Sequence, residues 1–156
     1  MADINSKDRF NLKKLVNQLS KYRGRHTELV TRYIPAGYEM NKVINQLQEE
    51  QGTASNIKST STRKNVTDAL ERMIQHLKLF KQTPANGLVV FSGNISEKEG
   101  GSDVQVFSIE PPVPLNVRVY RCDKQFVVEP LENMTMSDEC YGLVVLDNRD
   151  ANFALL

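Results

Sequence analysis

Apolar residues up to position 81 recur every three or four places, whereas beyond Pro84 they alternate or gather in short runs. Within residues 9–22, Leu12, Leu15, Val16, Leu19 and Tyr22 share one face at helical spacing. Gly24 follows as a C-cap, with Lys21, Arg23 and Arg25 beside the negative end of the helix dipole. Residues 28–34 read as a strand that Pro35 stops. A second helix is predicted over about 38–50, with Met40, Val43, Ile44 and Leu47 inward. A third, over about 61–81, carries Val66, Leu70, Met73, Ile74, Leu77 and Phe80 as its stripe. Between them, residues 51–60 are small and polar apart from Ile57.

The second half reads as strands. Residues 88–92, 104–109 and 117–122 are β-branched or alternating, separated by Gly93-Asn94, Gly100-Gly101 and Pro111-Pro112. Residues 126–128 extend the sheet, and 135–139 read as loop. Residues 142–146 form a buried-type strand that turns at 147–150 into 152–156. The expected class is therefore α+β, or a two-layer α/β arrangement: helices packed on a mostly antiparallel sheet of four to five strands. The 51–60 loop stands at a tip between two helices.

Charge changes this picture. The chain's net charge of +1 conceals a basic half, with 15 Lys+Arg against 8 Asp+Glu in residues 1–82, and an acidic half, with 5 against 11. A basic face on a neutral protein suits a polyanion, although basic side chains also simply solvate helices. No apolar run approaches a membrane span or a signal-peptide core, so the expected location is cytoplasmic, with no membrane partner. Cys122 and Cys140, the two cysteines, are too few for a disulfide framework and read as reduced thiols.

No catalytic constellation stands out. His26 and His76 are in no metal-ligand pattern, so neither metal nor cofactor is expected, and His76 reads as a solvent-side residue. A Cys122–His26 nucleophile pair has no support from spacing. Glu49-Glu50 ends the second predicted helix, a poor place for negative charge, which points to a use outside the helix. Thr53, Ser55, Asn56, Lys58 and Ser59 each offer hydrogen-bonding groups suited to a base edge or phosphate. Arg63 and Lys64 open the next helix, whose N-terminus also favours phosphate, while a Ser/Thr-rich helix entry is equally a capping region.

Thr53-Ala-Ser-Asn-Ile-Lys-Ser59 resembles the TASNIKS motif of archaeal and eukaryotic class-1 peptide chain release factors. Tyr120-Arg-Cys122-Asp-Lys-Gln-Phe126 resembles the same family's YxCxxxF signature, and Tyr33-Ile-Pro35 and Pro84-Ala-Asn-Gly-Leu-Val-Val90 agree with its frame. Two rare motifs in the right order carry far more weight than either alone. The resemblance implies a stop-codon-recognition domain over residues 1–140, followed at 141–156 by the first hairpin of a middle domain.

It also implies roles. Asn56 and Lys58 would meet the codon's first uridine, with Thr53, Ser55, Ile57 and Ser59 shaping the loop. Glu50 would accept hydrogen bonds from the later purines. Tyr120, Cys122 and Phe126 would line the codon pocket, where base–aromatic stacking is worth about 1–3 kcal/mol. A second possibility is that Tyr120 and Cys122 are core residues on one strand face and that Phe126 anchors a turn. Thr27 and Arg63 resemble positions with further RNA contacts. His26-Thr27-Glu28 stands where eukaryotic members carry Gly-Thr-Ser, which leans the source toward archaea and leaves His26 and Glu28 without assigned roles. Implied partners are the small-subunit decoding site of the ribosome, an mRNA stop codon and ribosomal RNA, with a translational GTPase and a recycling ATPase for the full-length protein. The family's Gly-Gly-Gln element is not found in these residues, so a recognition role rather than an enzymatic one is expected. A general RNA-binding module, a ribosome surveillance factor and a small thiol enzyme using Cys122 are the alternatives.

Overall fold

The computed structural model describes residues 5–135. The chain runs α1 (Ser6–Ser20), β1 (Leu29–Ile34), α2 (Met40–Ala54), α3 (Thr60–Leu77), β2 (Leu88–Asn94), β3 (Val104–Ile109) and β4 (Val119–Asp123), then a short helix α4 over 129–135. The four strands form one antiparallel sheet in the order β3-β2-β1-β4. The expected sheet of four to five strands is thus present with four. Residues 126–128 do not join it. The hairpin expected at 141–156 and Cys140 lie outside the described residues.

Every residue of β1 is buried, which is possible because both faces of the sheet are covered. Alternation divides the strand between two cores. Val30 and Ile34 join Val43, Leu47, Val66, Leu70, Met73, Ile74 and Val90 beneath α2 and α3. Leu29 and Tyr33 join Leu12, Val16, Leu19, Val89, Phe91 and Phe126 beneath α1. The layers number three rather than two. Sequence periodicity gives each helix an apolar stripe but does not say which face of the sheet the stripe meets.

Local chemistry sets the helix starts. The Asn5 side chain accepts the Asp8 N–H at 2.8 Å and donates to the Asp8 carboxylate at 3.0 Å, so α1 begins three residues before its apolar stripe suggests. Ser59 caps α3 by accepting the Thr62 N–H at 3.3 Å. His76, read from sequence as solvent-side, is half-buried, with Nε2 2.8 Å from the Ser108 hydroxyl and its ring edge-on to Phe80. A helix with sheet on one side leaves a flank position such as this one partly covered.

The segment after β4 is fixed to the α1 face of β1. The Val127 N–H donates to the Thr31 hydroxyl at 3.0 Å, and the Tyr33 hydroxyl donates to the Val127 carbonyl at 2.6 Å. Burial, reinforced by the charge of Glu132, pushes the Tyr33 phenol well above its ordinary range, so it stays protonated as a donor. Phe126 enters an aromatic cluster, edge-on to Phe91 at 5.5 Å, Tyr22 at 6.4 Å and Phe107 at 6.4 Å. Phe126→Ala should therefore lower unfolding free energy by about 3–5 kcal/mol. Urea denaturation measures this, and a loss below about 1 kcal/mol would contradict a core role.

Candidate nucleic-acid interface

The polar connection between α2 and α3 is shorter than its sequence suggests, because α2 continues through Thr53 to Ala54. Only residues 55–59 separate the two helices. Buried Ala54 continues the stripe of Val43 and Leu47 and so holds an extra turn of helix against the core. Glu50 consequently does not end the helix, and the dipole penalty inferred for it falls away. Its placement has a different origin. Positions 43, 47, 50 and 54 lie on one helical face, so this half-buried carboxylate interrupts an apolar stripe. That pattern was readable in the sequence.

The loop itself is tightly wound. The N–H groups of Ser55, Asn56 and Ile57 donate to the carbonyls of Gly52, Thr53 and Ala54 at 3.3, 3.0 and 3.0 Å. The Ser55 hydroxyl also donates to Gly52 O at 2.6 Å, and Ser59 is occupied as the α3 cap. Ile57 turns inward and packs on the α2–α3 core. Arg63 reaches back from α3, with Nη1 donating to the Ile57 carbonyl at 3.0 Å. These bonds leave Thr53, Asn56 and Lys58 as exposed polar groups around the tip that no local side-chain bond restrains among the described residues. Gln51 clasps the helices below, donating to Thr67 O at 3.2 Å and to Glu71 at 3.1 Å.

The edge strand β4 carries the groups on which Glu50 of α2 acts. Its register sets Tyr120 opposite Arg32 and Cys122 opposite Val30, on the α2–α3 face. The Tyr120 hydroxyl is 3.3 Å from the Cys122 sulfur. Burial first, then the bond to Cys122, then the charges of Cys122 and Glu50 push the Tyr120 phenol far up. Burial likewise raises the Cys122 thiol, with Glu50 adding to the effect and the Tyr120 bond opposing it. A raised thiol carries little thiolate at neutral pH and is a weak nucleophile, which disfavours the thiol-enzyme alternative. Glu50, Tyr120 and Cys122 therefore form one electrostatic neighbourhood, and Ile57 borders the same core.

Phe126 does not belong to this group. After Asp123 the chain turns around the open edge of the sheet, helped by the Gly24 N–H donating to Lys124 O at 2.7 Å, and Phe126 is buried on the opposite face. The expectation that it lines the same pocket is corrected: here it anchors the turn behind β4. An edge strand permits this crossing, whereas a one-dimensional motif keeps Phe126 next to Cys122.

The family described as eRF1 domain 1 matches residues 7–136. The chain belongs to that family. It is 60% identical over 151 residues to peptide chain release factor subunit 1 of Thermococcus kodakarensis, covering 97% of this chain and 36% of that protein. Against the protein of the same name from Methanocaldococcus jannaschii, identity is 41% over 157 residues, covering 100% of this chain and 37% of the relative. The crystal structure of archaeal translation termination factor aRF1 superposes with a TM-score of 0.74 at 35% identity, over 81% of this chain and 34% of that one. The chain thus spans little more than a third of the curated relatives it matches. The lean toward archaea agrees with these relatives.

In this eRF1 domain 1 chain, the 26–28 element borders a 380 Å³ recess that also touches Lys64 and Asn65 of α3 and Lys98 of the β2–β3 turn. Thr27 is exposed, while Glu28 is buried and accepts from the Asn65 amide at 2.7 Å. Asn65 in turn accepts from Asn94 at 3.2 Å. Sequence reasoning assigned Glu28 no role. Here it ties the 26–28 element to α3, a contact between residues 37 positions apart that no local pattern announces. Arg63→Gln should cost about 1 kcal/mol and speed amide exchange at residues 56–58, because the Ile57 carbonyl loses its brace. Hydrogen exchange read by NMR tests this, and unchanged protection at those three amides would show that the brace is dispensable.

Proposed function

We propose that this chain is the stop-codon-recognition module of a class-1 release factor acting in translation termination, and that the 55–59 tip enters the decoding site. The observation that carries this reading is the division of labour within the loop. The Ser55 and Ser59 hydroxyls are spent on local bonds, while Asn56 and Lys58 are exposed just beyond the end of α2, the helix whose Glu50 acts on Tyr120 and Cys122. A rigid backbone presenting one amide and one ammonium suits a pyrimidine edge and its phosphate. Neighbouring Glu50 supplies acceptors for the amino groups of purines.

Thr53 and Ile57 contribute shape, and Tyr120 supplies the aromatic surface. Thr27 and Arg63 add contacts to messenger or ribosomal RNA, Arg63 from the first turn of α3. The module recognises and does not catalyse. Its partners are the ribosomal small subunit, the stop codon and ribosomal RNA. A translational GTPase and a recycling ATPase would act on the longer protein, and the setting is the cytoplasm. Support comes from the membership in eRF1 domain 1 and from the names of the relatives.

Lys58→Ala should leave unfolding free energy within about 0.5 kcal/mol of the parent, since the side chain is exposed. It should reduce the preference for stop-codon over sense-codon ribosomes by about tenfold or more, the worth of one charge-assisted hydrogen bond. Thio-uridine crosslinking from the first codon position to residues 56–58 is the direct check, and crosslinks confined to other surfaces would overturn the assignment. Glu50→Gln, nearly isosteric, should keep the thermal midpoint within a degree or so yet weaken stop-codon binding, because the amide keeps one acceptor oxygen and replaces the other with an NH2 donor. Equal affinity of parent and Glu50→Gln for all stop codons would remove Glu50 from the site.

A further inference from the structure

Arg32 is a cation inside the α2–α3 face of the sheet, with 1% of its surface exposed. Its Nη1 donates to the carbonyls of Tyr33 and Val119, each at 3.2 Å, but Nε and Nη2 are buried without a hydrogen-bond partner. Burial drives its guanidinium below the ordinary range; Tyr38 opposes the shift, the charge of Arg118 adds to it, and no carboxylate contributes. Arg118 is exposed and donates from Nη1 to the Tyr38 hydroxyl at 3.2 Å. Both guanidinium carbons lie close to one ring, 5.9 Å for Arg32 and 5.6 Å for Arg118 from the Tyr38 centroid. Tyr38 is fixed at its backbone, its N–H donating to Pro35 O at 3.1 Å and its carbonyl accepting from the Thr83 hydroxyl. Two cations on one anchored ring, one of them desolvated, make a strongly positive spot whose charge is only partly offset by the aromatic face.

We propose that Arg118, Tyr38 and Arg32 form an anion site that takes a backbone phosphate of the RNA strand read at the 55–59 tip. The inference rests on the codon-reading assignment for its choice of ligand. Arg118 immediately precedes β4, and Tyr120 of that strand is paired with Arg32 across the β1–β4 ladder, so the positive spot adjoins the candidate interface. A phosphate on Arg118 replaces the Tyr38 hydroxyl as acceptor with a charged one, and its field reaches Arg32 across the ring. Arg118 is exposed, and β4 is an edge strand, so the cation stands at the margin of the sheet where a ligand can reach it. A carboxylate from a ribosomal protein has similar chemistry, but continuity with Tyr120 and Cys122 favours the RNA strand.

The test measures affinity of the full chain for ribosomes programmed with a stop or a sense codon, across a salt series, for the parent, Arg118→Gln, Arg118→Lys and Lys58→Ala. Arg118→Gln should weaken binding several-fold and equally on both codons, with the log–log salt slope shallower by about 0.7, the counterion release of one single-strand phosphate contact. Arg118→Lys should restore most of the slope. An unchanged slope for Arg118→Gln overturns the proposal, and if affinity nevertheless falls, the site belongs to a protein carboxylate. Arg118 is exposed, so an unchanged thermal midpoint verifies that folding is intact. Lys58→Ala separates the two readings: retention of stop-codon preference in that variant refutes codon reading by the tip, while the slope change at Arg118 still decides the phosphate site.

Discussion

The complete burial of β1 is the constraint on which the other features depend. A strand covered on both faces must pair on both edges, and β1 does so with β2 on one side and β4 on the other. That arrangement leaves β4 at the margin of the sheet, with one side of its backbone open, and places Tyr120 and Cys122 on the α2–α3 face near Glu50. The opposite face of β1 holds the returning chain through Thr31 and Tyr33. Both halves of the YxCxxxF motif are thereby positioned by one strand. Tyr120 and Cys122 take their place from pairing with it, and Phe126 from packing behind it.

Rigidity at the tip is obtained with side chains rather than with loop length. Ser55 closes the end of α2, Ser59 opens α3, and Arg63 braces Ile57 from the next helix. A five-residue connection held at both ends loses little conformational freedom when a ligand arrives, so the ordering cost of binding is small. The exposed groups of Asn56 and Lys58 then act from a fixed base. The same economy explains why serines and threonines crowd this segment: they cap helices as well as line a surface.

Charge is arranged in a comparable way. Arg32 is retained inside a hydrophobic face although burial disfavours it, and a hydrophobic residue of similar size would often be at least as stable there. Its position beneath Tyr38 and next to Arg118 gives the cost a use at the surface. Glu50 is the acidic counterpart, a carboxylate on an apolar stripe whose field reaches Tyr120 and Cys122. Both are polar residues at positions where the local pattern calls for an apolar one.

The sequence alone determined the helical stripes, the strand runs, the Ser/Thr-rich entry to the third helix and the two motifs, because each is a local property read over a few residues. It also determined the family, since rare motifs in fixed order survive without knowledge of packing. Tertiary structure decided the rest. The sheet is covered on both faces because α1 packs opposite α2 and α3, and periodicity is blind to that choice. Helix α2 extends to Ala54 because that residue finds the core, overriding the weak helix propensity of Gly52 and Thr53. Phe126 parts from Cys122 because an edge strand lets the chain turn around the sheet. The Glu28–Asn65 tie and the Arg32–Tyr38–Arg118 cluster join residues 37 and up to 86 positions apart, and only folding brings such distant side chains within reach of one another.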